Sequence, residues 1–221
     1  MNKIAILILV SLGSFAQTKV RTFDQFAVSY GLNDKVSTTS LSLGQEMVVG
    51  KDIACSFGAF ARLNWNSLKP QSLESKGDFV NDELGILNKS NVFSLSFPLS
   101  ASIGFKNLSF GGNFDLASWT FGKTLDSKRF TVDQASAGLV ARPKGLSWVL
   151  SKEESFKNLS NQLYLSYTFD QSFGIRVGMS SQHITYDLRN LDTNGNVGTR
   201  ENIFGHTYMY PFISLRFNNE K

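Results

Sequence analysis

His183-Ile184-Thr185 is the first place in this chain where chemistry could be done. In an extended segment, positions i and i+2 point to one side, so the imidazole and the hydroxyl can meet. A base beside a hydroxyl makes a nucleophile when a third group orients the base, and Glu201 and Asp187 are the carboxylates at hand. His206-Thr207 repeats the idea more weakly, and the chain holds only these two histidines. Metal chemistry has one candidate. Asp192, Asn194 and Asn196 match the first ligand positions of a calcium loop. Val197 then stands where that loop needs Gly, and Ile203 where it needs a bidentate Glu. Asn194-Gly195 reads instead as a tight turn. There is no CxxC and no HExxH, and the single Cys55 cannot form an internal disulfide. It shares a parity with Phe57, Ala59, Ala61, Leu63 and Trp65, as a small apolar filler would. The expectation is a protein without catalytic residues, metal or cofactor.

The elements that would position these residues are strands. From Phe93 to Phe105, Phe93, Leu95, Phe97, Leu99, Ala101 and Ile103 alternate with Ser94, Ser96, Pro98, Ser100, Ser102 and Gly104. After Lys106-Asn107, Leu108, Phe110, Gly112, Phe114 and Leu116 alternate with Ser109, Gly111, Asn113 and Asp115. Period-two alternation marks a strand with unlike faces. These segments far exceed the usual strand of about 5–6 residues. A tilted strand crosses the apolar layer of a bilayer in about 9–11 residues. The same pattern runs through Phe26 to Leu32, Leu41 to Val48, Ala54 to Trp65, Leu163 to Phe169, Phe173 to Met179 and Met209 to Phe217, giving eight candidate strands in all. Pro98 and Pro211 fall inside them, so a bulge is expected at each. Phe60 and Phe212 break the small-polar parity, as fillers of an interior or as marks of a register slip.

Connections and charges assign the faces. Tight turns at Gly50-Lys51, Lys106-Asn107 and Asp170-Gln171 alternate with long stretches at 66–89, 122–157 and 189–205, and only the first outer connection, at Asn33-Asp34, is shorter than this order expects. Short periplasmic turns and longer outer loops are the habit of membrane barrels. Within the strand centres, Glu46, Arg62, Asp115, Arg176 and Arg216 all fall on the Ser/Gly/Asn parity. They are read as a structural charge cluster in a narrow lumen, with Glu46, Arg176 and Arg216 at similar heights. A charge facing lipid near the midplane would cost roughly 2–4 kcal/mol.

Composition agrees. Charged residues are 18% of the chain and Phe numbers 19, while the formal net charge is only +4. No basic run suggests nucleic acid, and no internal apolar run reaches the length of a membrane helix. The first residues have the order of an export signal: Lys3, then an apolar run from Ile4 to Leu12, then Ser14-Phe15-Ala16. The expected division is a signal peptide at 1–16 and a barrel at 17–221.

The leader, the alternating strands and the terminal segment YMYPFISLRF together resemble the small eight-stranded outer-membrane barrels. Among these the chain is similar to the porin-family, PorT-like barrels of bacteria with type IX secretion. The resemblance implies an eight-stranded antiparallel transmembrane β-barrel, located in the outer membrane after signal-peptide export. In that family the last strand ends in an aromatic recognised by the barrel-assembly machinery. Ile213, Leu215 and Phe217 match this assembly signal, although Asn218 to Lys221 follow it here. A lipid A-deacylating branch of small barrels carries His-x-Ser, and Thr185 replaces that Ser.

The expected function is therefore a non-enzymatic outer-membrane barrel, structural or accessory to an envelope or secretion complex. Its expected partners are outer-membrane lipid, the assembly machinery, and other envelope proteins through loops 66–89, 122–157 and 189–205. The alternatives are a lipid A-modifying hydrolase at His183 and a soluble periplasmic ligand-binding barrel with Phe93, Leu95 and Phe97 facing inward.

Overall fold

Chains that alternate Phe or Leu with Ser, Gly or Asn build sheets with one greasy and one small face, and such sheets close when the small face turns inward. The computed structural model describes residues 20–50, 53–75, 83–126, 130–132, 139–149, 158–170, 172–191 and 197–220, and every element among them is a strand. The expected export signal at 1–16 lies outside these residues, as do Asp192, Asn194 and Asn196.

Eight long strands form a closed antiparallel ring. They are β1 (Val20–Leu32), β2 (Val36–Gly50), β3 (Ile53–Leu68), β6 (Ser90–Phe105), β7 (Leu108–Gly122), β12 (Ser160–Thr168), β13 (Phe173–Leu191) and β14 (Val197–Glu220). Each neighbour pairs in that order, and β14 pairs with both β13 and β1. Each of the eight alternating segments in the sequence falls on one of these strands. Paired residues can be followed round the ring from Asn219 through Asp24, Gln45, Ala59, Leu99, Phe114, Asn161 and Ser181. The path returns to β14 at Met209, ten residues from its start. A closed sheet needs such a stagger, and with eight strands it tilts them by about 40°.

At the end of the ring that holds the start of β1 and the end of β14, the connections are tight. Gly50 takes φ 119° at the turn into β3, and Lys106 takes φ 54° in the two-residue turn from β6 to β7. Only glycine enters the first of these without strain. At the other end, Asn33 makes a short connection from β1 to β2: its Oδ1 accepts from the backbone N–H of Lys35 and Val36.

The ring reverses the usual burial. Its interior row is polar: Ser96 is 0% exposed, Arg62 2% and Asp115 3%. Its outer row is apolar: Leu163 is 62% exposed, Ile103 55% and Val177 48%. Phe60 and Phe212 are buried inside as fillers. Of the two prolines, only Pro98 sits at a register shift, between Phe97 and Pro98. Pro211 pairs with Met179 in unbroken register. The bulge expected there is absent because β1 pairing stops at Phe212, so the proline is free of a ladder on that side.

Beyond the ring stands a cap, and here three expected loops are corrected. Residues 189–205 are mostly strand: β13 and β14 continue as a hairpin with Tyr186 opposite Phe204 and Asp187 opposite Ile203. Residues 66–89 contain the end of β3, β4 (Gln71–Ser75) and β5 (Glu83–Ile86). Residues 122–157 contain β8 (Leu125–Asp126), β9 (Phe130–Val132), β10 (Leu139–Pro143) and β11 (Leu146–Trp148). The physical reason is an ordinary apolar core. Leu73, Leu84, Ile86, Leu125, Ile184, Tyr186, Leu188 and Phe204 pack above the ring ends at Val36, Leu68 and Val92. Strands that continue into such a core bury side chains worth roughly 1.5–3 kcal/mol each.

The cap sheet runs β8-β10-β13-β14-β4-β5-β9. Its two end strands are joined by only residues 127–129, a link that reaches at most about 15 Å. The sheet therefore curls back on itself.

Candidate functional site

Three places gather polar groups: the ring interior, the seam between ring and cap, and a cavity at the tight-turn end.

Inside the ring, the five charged residues divide into two groups. Glu46 on β2 accepts from Gln25 at 2.9 Å, Ser56 at 2.8 Å and Arg216 at 3.3 Å, with Arg176 at 3.7 Å. Arg216 also donates to Thr168 Oγ1 at 2.6 Å, and Arg176 lies over the Tyr164 ring at 4.6 Å. Arg62 and Asp115 form the second group, at 2.6 Å. Asp115 also accepts from the backbone N–H of Ser160 at 2.9 Å. Buried charges hold only when paired and hydrogen-bonded, and these carboxylates are multiply satisfied. Neutral polar pairs also cross the interior, among them Ser29 with Ser214 and Asn113 with Gln162. Only about 20 Å³ of cavity remains between Phe60, Arg176 and Phe212.

At the seam, the candidate nucleophile is occupied. Thr185 is fully buried, and its hydroxyl donates to Asn158 Oδ1 at 2.8 Å. His183 Nδ1 instead pairs with Thr207 Oγ1 at 2.7 Å. The Asp187 carboxylate meets Arg189 at 3.4 Å, and the Glu201 side chain lies outside the described residues. His206 packs edge-on to Tyr208 at 4.9 Å. His183 and Thr185 thus share a strand face, as their spacing requires, but each is bonded to a different partner. Among the described residues no group of three or more His, Cys, Asp or Glu could hold a metal.

Asn158 gave no signal in the sequence, yet it ties the seam together. Its backbone N–H donates to Ser147 Oγ, its Nδ2 to the Lys144 carbonyl, and its Oδ1 accepts from the N–H and hydroxyl of Thr185. It stands where β12 stops short and β10 and β11 take over the pairing with β13 and β7. Gln25 was also missed, although it lies on the interior parity of β1. Above the seam, Tyr186 and Ser90 share a hydrogen bond of 3.1 Å. Burial pushes the Tyr186 hydroxyl up to about 12.

At the tight-turn end the ring opens on a cavity of about 410 Å³, lined by Arg21, Phe23, Glu46, Ser56, Ser102, Thr168 and Arg216 among others. Ile213, Leu215 and Phe217 face outward on β14 and are exposed. Phe217 packs between Phe26 and Phe173, with centroids at 6.1 and 5.4 Å. Compared with known proteins, the chain matches no family model and no curated protein.

Proposed function

We propose that this chain is a non-enzymatic outer-membrane β-barrel, structural or accessory to an envelope complex, with its cap as the surface offered to other envelope proteins. The observation that carries this reading is the reversed burial: a polar, ion-paired interior inside a sheath of exposed Leu, Phe, Ile and Val. Water disfavours such a sheath over this area, and hydrocarbon does not. The outward apolar row runs from Ile53 to Trp65 on β3 and from Met209 to Phe217 on β14. At about 2.5 Å of height per tilted residue these rows stand roughly 20–30 Å tall, near the band of about 25 Å usual for such barrels. Aromatic clusters mark its two levels. Trp65, Phe93, Phe121 and Trp119 pack together toward the cap. Phe26, Phe217, Phe173, Phe169 and Tyr167 do so toward the tight turns. Interfacial aromatic girdles have this arrangement.

In this reading outer-membrane lipid is the first partner, and the likeness to PorT-like barrels supplies the second: an assembly machinery that reads Ile213, Leu215 and Phe217. The packed interior and capped mouth favour a structural role over conduction. A soluble ligand-holding barrel would need Phe93, Leu95 and Phe97 inward, whereas Ser94 and Ser96 are the buried residues. A hydrolase at His183 would need the Thr185 hydroxyl that Asn158 accepts.

Membrane fractionation of the exported protein tests the proposal. The expected result is recovery in the outer-membrane fraction, resistance to carbonate extraction, and a folded form with altered gel mobility. Recovery in the soluble periplasm without detergent would overturn it. Planar-bilayer recordings are expected to be silent.

A further inference from the structure

The interior charges do not balance, and the surplus lies beside the open cavity. Glu46 faces two arginines, Arg176 and Arg216, and its oxygens already accept from Gln25 and Ser56. The group therefore carries a net positive charge while its members are all more than nine-tenths buried. Arg216 lines the cavity, and the buried Nε atoms of Arg216 and Arg176 have no hydrogen-bond partner. Arg21 adds a second surplus charge at the rim, its guanidinium 5.6 Å from the Phe23 ring centre. Lys106 also borders the opening, with its ammonium over the Phe105 ring. The other carboxylate of the lining, Asp170, is held in its own turn, where it accepts from the N–H groups of Ser172 and Phe173 at 2.8 Å.

We infer that this cavity is a binding site for a phosphate monoester. Counting the Glu46 group, Arg21 and Lys106 as positive and Asp170 as negative leaves a surplus of two positive charges, which one dianionic phosphate matches and a carboxylate would only half balance. Guanidinium groups suit phosphate oxygens as paired donors, and Thr168, whose oxygen accepts from Arg216, keeps its own hydroxyl proton to donate in the same lining. A volume of about 410 Å³ lies within the usual range for small-molecule sites, about 300–1,000 Å³. The inference rests on the ring and its charges and is independent of whether the ring sits in a bilayer.

Titration calorimetry of the full chain in neutral detergent micelles, with glycerol 3-phosphate as probe and glycerol as control, tests it. The expected result is one saturable site for the phosphate ester and none for glycerol, with affinity falling as salt rises. Arg216→Gln should weaken binding about tenfold, as loss of a charge-assisted hydrogen bond does, and Arg21→Gln about threefold, as loss of an exposed rim charge does. Arg21 is not part of the Glu46 group, so that variant keeps the test valid if Arg216→Gln fails to fold. Micelles doped with phosphatidate identify the source. Competition by phosphatidate means a lipid headgroup, and its absence means a free ester; either accompanies the expected binding. No saturable binding at millimolar probe, or binding indifferent to Arg21→Gln, overturns the assignment.

Discussion

Arg62 and Asp115 meet at 2.6 Å across the ring interior, from β3 and β7, with the whole of β6 between them. The contact spans the small face that Ser96 and its neighbours leave open, and Arg62 Nε reaches Ser96 Oγ at 3.4 Å. Removing one partner should strand the other. Arg62→Leu or Asp115→Asn alone is expected to cost about 3–5 kcal/mol, whereas Arg62→Met with Asp115→Leu should cost far less. Equilibrium refolding into vesicles measures both, and equal losses for single and double variants would contradict the pairing.

Asn158 should matter as much to the seam as the ion pair does to the ring. Asn158→Ala leaves the buried N–H of Thr185 without its acceptor, at about 1–3 kcal/mol. The loss should be local. Amide exchange is expected to accelerate along β10, β11 and the upper part of β13, with the lower ring unchanged.

Leu163 separates the two possible surroundings of the ring. It points outward and is well exposed, so in water Leu163→Arg would be nearly silent. In a bilayer the same change should destabilise the folded form by roughly 2–4 kcal/mol. Unchanged stability of Leu163→Arg in vesicles would count against the lipid-facing assignment.

Alkaline pH should loosen the cap first. The Tyr186 hydroxyl titrates near 10 when unfolded and is pushed up to about 12 by burial in the cap. The folded form therefore keeps its proton when the unfolded form has lost it. Its contribution to stability is full below about pH 10 and disappears as pH rises through about 12. Near-ultraviolet circular dichroism across this window should report a transition, and Tyr186→Phe should move it upward.

The ring was legible because its strands are long enough to repeat a period of two many times. Phe93 to Phe105 carries seven outward positions, and any slip would expose every one of the intervening serines. The cap was not legible. Its added strands run two to five residues, too few to display a period. Between Ile184 and Leu188 both faces are buried, which erases the alternation and let 189–205 pass for a loop. Strand heights placed Glu46, Arg176 and Arg216 together, but the contacts themselves were out of reach for another reason. Which arginine meets which carboxylate depends on the ten-residue stagger, a property of the closed ring that no single strand contains. Asn158 is harder still, since one amide before a short strand has no pattern to belong to.

The two ends of the molecule are unlike: an apolar core stops one, and a polar cavity opens the other. Among the described residues the cavity opens toward the tight turns, so under the proposed reading a ligand held there would enter from that side. The cap hairpin and the floor of that cavity nevertheless share their beams. β13 carries both Tyr186 and Arg176, and β14 carries both Phe204 and Arg216. A change in the hairpin therefore has a continuous covalent path to the arginines along two strands.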